Sequence, residues 1–354
     1  LNRSLGFWGA TGIGIGAIVG TGIFVLIGVA SGIAGPAVIL SFIIAGFVAL
    51  LTGLSTAELS SFIHESGGSY IYTTKAFGEF LGFVVGWMKS FDYIVGASAV
   101  SIGFAAYFAY FFNIPATTGL LVIVATIWPL VLMLLNIRGI QEASWTNNLL
   151  VSLKILALLV FIFVGASALL ASGNYSNYHP FFPQGFSGVM SGAAIIFFAF
   201  IGFNTIAVMA EEVKDPEKNV PKAILFAFAL CTLIYIGVSV VAVGIVNWQL
   251  LGASSAPLEF ALKTVTDNMF LLQFVAISAL FATTSVIMAS IMGGSRALFA
   301  MARQGVLPHV LSTISRQGVP AFTILICGLV ISGIVLLTGG NLDWLPRFLI
   351  SGPS

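Results

Sequence analysis

The sequence predicts an all-α polytopic membrane protein, and three observations carry that reading. The chain of 354 residues is 59% hydrophobic and only 7% charged, whereas a soluble domain carries about a quarter of its residues as Asp, Glu, Lys and Arg. No formal charge interrupts the stretches between Arg3 and Glu58, Asp92 and Arg138, or Lys154 and Glu211. A spanning helix takes about 20 apolar residues, so each stretch holds about two spans. The runs also lack the apolar–polar alternation that marks strands of an outer-membrane barrel. Composition excludes a water-soluble enzyme and a disordered chain, and a formal net charge of only +1 excludes a nucleic-acid binder.

Turn and polar signals then divide the apolar mass. Gly35-Pro36 separates spans near 6–31 and 37–62. A polar linker from His64 to Lys75 leads to a long third span near 79–112, and Asn113-Ile114-Pro115 turns into a fourth near 117–136. The fifth lies near 145–171, the sixth near 187–210, and the seventh near 223–246. Spans near 268–298 and 319–338 follow, and Asp343 to Ser354 begins a tenth. The first span is too long for a cleavable signal peptide and runs directly into the second. A start at Leu1 and a stop inside the tenth span read as an incomplete copy of a longer protein. Cys231 and Cys327 sit in apolar runs and read as packing residues.

Basic residues set the orientation. With the N-terminus cytoplasmic, one side gathers Arg3, Lys75, Arg138, Lys214, Lys218, Lys222, Arg296, Arg303 and Arg316, and the other holds only Lys263 and Arg347. That predicts a multi-pass protein of the cytoplasmic membrane with its N-terminus inside. Lys89 and Lys154 remain, both at bilayer depth, where a charge costs at least a few kcal/mol and must face a partner, a cavity or a functional site.

The first span contains Gly12, Gly14, Gly16, Gly20 and Gly22, poor filler for a helix at about 1 kcal/mol each relative to Ala. Close helix packing is one reading, since Gly12, Gly16 and Gly20 recur at small-xxx-small spacing. The other is a break at Gly20-Thr21-Gly22, whose freed N–H groups could hold a carboxylate. A dinucleotide fingerprint fails, because no strand precedes the glycines. The sixth span, Ile196-Phe-Phe-Ala-Phe-Ile-Gly202-Phe-Asn204-Thr205, again sets glycine and polar residues at mid-depth. Interrupted helices opening each of two halves point to a transporter site.

These segments resemble a known family. Gly20-Thr21-Gly22-Ile23-Phe24, Ala57-Glu58-Leu59, Glu65-Ser-Gly67-Gly68-Ser-Tyr70, Phe198-Ala-Phe200-Ile-Gly202-Phe203, Glu211-Glu212-Val-Lys-Asp215-Pro216, and Gly293-Gly294-Ser-Arg296 to Pro308 are similar, in order, to motifs of the amino acid–polyamine–organocation (APC) superfamily. The nearest likeness is to the cationic-amino-acid-transporter-like branch and its prokaryotic proton-coupled relatives. The resemblance implies a LeuT-like 5+5 inverted-repeat bundle with helices 1 and 6 broken. Residues 1–171 would form the first repeat and 187–354 an incomplete second one. By the same resemblance, Thr21 and Gly22 would take the substrate α-carboxylate, with Ile23 beside them in the substrate site. The carbonyls of Ile18, Phe198, Ala199 and Ile201 would take the α-ammonium, Phe198 would gate the site, and Ala97 and Ser98 would line the side-chain pocket.

Lys154, by itself, could snorkel towards the cytoplasmic face. The resemblance implies another role: its amine would occupy the place where sodium-coupled members of the fold bind Na⁺, bridging the backbone near Gly16 and a hydroxyl among Thr283, Thr284 and Ser285. Lys89 and Asp92 lie three apart on one helical face. They read either as a mutually neutralising pair or with Asp92 as a proton-linked carboxylate. Asn204 stands where relatives often carry an acid, which implies a neutral, small amino acid. His64, His179 and His309 are dispersed as solvated loop residues, with no metal-ligand or nucleophile–base spacing, so no cofactor or metal is implied. The expected function is secondary active transport of an amino acid, coupled to H⁺. The alternatives are an amino acid/metabolite antiporter and a transporter-like amino acid sensor.

Overall fold

A computed structural model describes residues 3–339 apart from Thr21, Asn113, Pro115, Ala116 and Ser255. The expected tenth span lies outside the described residues. Within them the chain is almost entirely helical. The first span is split into α1 (Phe7–Ile18), a single π-helical turn (Gly22–Leu26) and α2 (Ile27–Ala34). Gly35, with φ +67°, and Pro36 turn the chain into α3 (Val38–Phe62). The stretch read as a polar linker holds a short helix, α4 (Ser69–Phe77), whose Tyr70 and Ile71 pack against Ala300 and Met301. The long α5 (Glu79–Phe111), α6 (Thr118–Arg138) and α7 (Ile140–Ser172) follow. The sixth span is split into α8 (Gly185–Phe197), a 3-10 turn (Phe198–Phe200) and α9 (Asn204–Val208). After α10 (Pro216–Ile245), two short helices, α11 (Trp248–Ala253) and α12 (Pro257–Lys263), precede the long α13 (Met269–Arg303) and α14 (Ala321–Leu337).

Among the described residues, seven helical segments are long and apolar enough to cross a membrane. The first of them, Phe7–Phe62, contains both of the first two expected spans. The exposed side chains along these helices are largely apolar, among them Phe47, Phe80, Phe163, Leu170 and Leu233. Such a belt suits contact with lipid. α13 is the most enclosed of the long helices and packs on α5, α7, α14 and α1. Its small residues allow that approach: Gly293 and Gly294 leave the space that the Tyr93 ring of α5 fills.

By sequence alone the charged run Glu211–Lys222 reads as a cytoplasmic linker capping the seventh span, with Pro221 at its first turn, and both parts of that reading are corrected. Pro216, not Pro221, occupies the first position of α10, where its missing N–H costs nothing. Glu212 is not a solvated linker residue. It is fully buried and pairs with Arg296 through Nε–Oε1 at 2.7 Å and Nη2–Oε2 at 3.1 Å. Next to it, Arg303 forks onto Glu211, which also accepts the Ser66 N–H at 3.0 Å. Burial works against ionisation of Glu211, but the hydrogen bonds from Arg303 and Ser66 outweigh it and hold the carboxyl below its usual range. A parallel bridge between Leu5 and Val213 completes this basic end of the molecule.

Candidate substrate site and buried lysine

Both readings of the first-span glycines hold, at different positions. α1 ends at Ile18, and Val19 is already extended, with ψ 90°. Gly12, Gly16 and Gly20 each face a neighbouring side chain that a Cβ would strike: Asn148, Asn147 and Val286. In the sixth span Ile201 is extended, with ψ 132°, and Gly202 takes φ +137°, a region that side chains disfavour. The two breaks touch reciprocally. A Cβ on Gly22 would lie 2.7 Å from the Ala199 Cα, and one on Gly202 would lie 2.7 Å from the Ala17 carbonyl.

A cavity of about 80 Å³ opens where they meet, room for roughly five to eight waters at about 10–15 Å³ each. Ile18, Gly22, Phe198, Ala199, Ile201 and Asn204 line it, as do Lys89, Asp92, Tyr93, Gly96 and Thr205. Thr21 lies outside the described residues. Ile23 is buried, with no face on the cavity, being the next residue around the turn from Gly22. Ala97 is also packed in the core: the face of α5 turned to the cavity carries Tyr93, Gly96 and Val100, which recur at helical spacing. Ser98 is buried and bonds back to Ile94 and across to Ile331.

Lys89 and Asp92 form an ion pair at 3.2 Å on the cavity wall. The Asn204 Oδ1 accepts the Thr56 hydroxyl at 3.3 Å. The charges of the described lining therefore cancel, and its polarity comes from hydroxyls, an amide and the ends of interrupted helices.

Two polar side chains tie the breaks together. Lys154 is wholly buried, and its ammonium donates to the Gly16 carbonyl at 3.0 Å, to the Val19 carbonyl and to the Ser285 Oγ at 2.6 Å. An ammonium has three donors, and all are used. Their placement follows from the break: carbonyls at the end of α1 have lost their helical partners, and the negative end of the helix dipole favours a cation. Thr284 does not join this cluster, because it accepts the Trp128 Nε1–H at 3.1 Å on the other side of α13, and Thr283 bonds back along its own helix. The second tie, Tyr235 of α10, escapes the sequence reading. Its hydroxyl lies 2.9 Å from the Ile18 carbonyl and 3.3 Å from the Ala199 carbonyl. A lone tyrosine deep in an apolar span, whose O–H must find a partner, was the available signal. Two carbonyls expected to take a substrate ammonium thus already share a donor, while the Phe198 carbonyl accepts the Ile201 N–H at 3.2 Å.

A helical membrane protein whose interrupted first and sixth helices meet at a cavity has the architecture of a LeuT-like secondary transporter. The same fold is found in the crystal structure of MhsT in complex with L-phenylalanine, with a TM-score of 0.70 over 97% of this chain and 82% of that one, at 17% sequence identity. Residues 5–347 match the family described as Amino acid permease. The chain belongs to that family, within the APC superfamily, as its motifs led one to expect. Among its relatives are the branched-chain amino acid permease BcaP and the methylthioribose transporter, both of Bacillus subtilis (strain 168). Each is 36% identical and is matched over 89% of this chain and 70% of its own length. The chloroplastic cationic amino acid transporter 9 of Arabidopsis thaliana is 33% identical over 89% of this chain and 58% of its own. These relatives are transporters, not enzymes.

Proposed function

We propose that the protein carries a small, electrically neutral amino acid across the cytoplasmic membrane by alternating access, coupled to proton movement through Lys154, with its N-terminus and basic end cytoplasmic. The observation that carries the substrate class is the cavity: about 80 Å³, between two half-helix ends, with its only described charges paired as Lys89–Asp92. A zwitterion leaving water needs both its charges met by preorganised groups. N–H groups at the start of the Gly22–Leu26 turn suit the carboxylate. The carbonyls freed around Ile201, with those that Tyr235 now holds, suit the ammonium once the hydroxyl gives way. A cationic side chain would find no unpaired carboxylate among the described lining residues, so arginine and lysine are disfavoured.

For coupling, loss of the Lys154 proton leaves two N–H donors for three acceptors, so one of the bonds to the Gly16 carbonyl, the Val19 carbonyl or the Ser285 hydroxyl is given up and the end of α1 loosens from α7 and α13. That gives the proton a differential effect on two conformations, as coupling requires. The halves 1–171 and 187–354 are the inverted repeats that move against each other. The test is a competition assay on the purified protein with radiolabelled alanine as the probe. Serine, glycine and alanine should displace the label more strongly than arginine or lysine. Stronger displacement by arginine, or by methylthioribose, would overturn the substrate class.

A further inference from the structure

Lys154 is sealed from the basic end by protein, yet a coupling lysine must exchange its proton with water on both sides. The interface between α1 and α7 suggests how. On α7, Ser144, Asn147, Asn148 and Lys154 recur at helical spacing along one face, and they lie against the glycine face of α1. The Ser144 Oγ sits 3.4 Å from where a Gly9 Cβ would be, the Asn148 Oδ1 1.8 Å from that of Gly12, and the Asn147 Oδ1 2.6 Å from that of Gly16. Gly16 is also the residue whose carbonyl Lys154 holds. At the far end, Gly9 meets Leu5 as well as Ser144, and Leu5 belongs to the bridge at the basic end.

The two asparagine side chains are not fully satisfied by protein. Asn147 is fully buried, and its Nδ2 donates to the Gly12 carbonyl at 2.9 Å, but its Oδ1 has no partner; neither has the Asn148 Oδ1. Turning the Asn147 amide over would only exchange one orphan for another. Around Gly12 and Gly16 the backbone N–H groups of α1 are spent within the helix, so the main chain there offers these two oxygens no donor. A buried amide oxygen without a donor is costly, and ordered water is the usual partner of such a group when protein supplies none.

We infer that Asn147 and Asn148 hold a file of waters between α1 and α7, and that this seam, separate from the substrate cavity, is the route by which the Lys154 proton reaches the basic face. This rests on the coupling role proposed above. In the step itself an ammonium N–H bond breaks, the proton passes to the water beside Asn147, and that water releases one of its protons along the file to bulk solvent. The amine is left neutral. The groups facing Lys154 are the carbonyls of α1, the Ser285 hydroxyl of α13 and the Cys231 thiol of α10. Among the described residues it has no acidic side chain as a salt-bridge partner, so water is the acceptor the structure leaves.

The test uses proteoliposomes and two kinds of flux: uptake of radiolabelled alanine driven by an imposed pH gradient, and alanine counterflow at equal pH. Asn147→Leu and Asn148→Leu should each lower gradient-driven uptake by about tenfold or more while leaving counterflow within about twofold. Equal loss of both fluxes, or unimpaired gradient-driven uptake, overturns the seam. Lys154→Ala is assayed in parallel. If it too retains gradient-driven uptake, the coupling role itself falls; if it alone loses it, coupling stands and the seam does not. Should the leucine variants fail to fold, Asn148→Cys decides. Silver ion should protect that thiol from maleimide labelling after unfolding, read at the peptide carrying residue 148, and a thiol that silver never reaches contradicts a water-filled seam.

Discussion

Replacing Gly202 with alanine probes the break in the sixth span directly. The added methyl meets two separate obstacles. At φ +137° a side chain is strained by roughly 1–3 kcal/mol. The methyl would also lie 2.7 Å from both the carbonyl carbon and oxygen of Ala17, and overpacking of that kind costs typically about 1–3 kcal/mol. Backbone cannot swing aside as a side-chain tip can, so the penalties fall together on the conformation in which the two breaks touch. Each 1.4 kcal/mol, roughly, is a factor of ten in population, so Gly202→Ala should weaken substrate binding by at least about tenfold. The assay is radioligand saturation binding on the purified variant, with thermal unfolding alongside. Adding Ala17→Gly should not rescue it, because the nearest atoms are main chain. Binding within about twofold of the parent would refute the argument that this contact shapes the site.

Four further outcomes follow from the same contacts. Gly96 faces the cavity with no atom within 4 Å of its missing Cβ, so Gly96→Val should fold but abolish competition by larger neutral amino acids before that by glycine, read in competition binding. Tyr235→Phe removes one hydroxyl, keeps the ring against Phe42 and Phe200 and strands the buried Ile18 and Ala199 carbonyls; stability should fall by about 1–3 kcal/mol in a denaturation series, and no loss would mean that the hydroxyl does not tie the breaks. Arg296→Met strands the buried Glu212 and should cost about 3–5 kcal/mol, with Glu212→Leu in the same chain recovering much of it, as a double-mutant cycle would measure. Finally, the Glu211 carboxyl is depressed in the folded protein. Its contribution is therefore present above the unfolded carboxylate value and is lost as pH falls through the lower, folded one. The stability difference between the parent and Glu211→Gln, read in a denaturation series, should thus hold from about pH 7 to 5.5 and shrink as pH falls below the unperturbed carboxylate value of about 4.3.

Much of this was legible in the residues. Charge-free runs cut by turn signals placed the described spans in order along the chain, because lipid demands long apolar helices and little else can satisfy the backbone there. The breaks were legible because glycine at mid-depth is expensive unless it is used. What stayed hidden depends on register between helices far apart in the chain. Composition places Ala97 and Gly96 equally near the pocket, and only the rotation of α5 turns Gly96 inward. Neighbouring hydroxyls Thr284 and Ser285 differ by about 100° around α13, enough to send one to Trp128 and the other to Lys154. Glu212 looked solvated because its sequence neighbours are charged, while its actual partner, Arg296, comes from another helix. Gly12 and Gly16 were visible as packing residues, but their partners, two buried asparagines, were not.

The account turns on a cavity between two broken helices and a lysine that ties one of them down. Uptake of radiolabelled alanine into proteoliposomes, with the exterior acidic, tests it most directly. Accumulation above equilibrium that a protonophore abolishes, and that is absent in Lys154→Ala, is the predicted result. Accumulation driven equally well by a sodium gradient, or indifferent to the proton gradient in the parent protein, would contradict it.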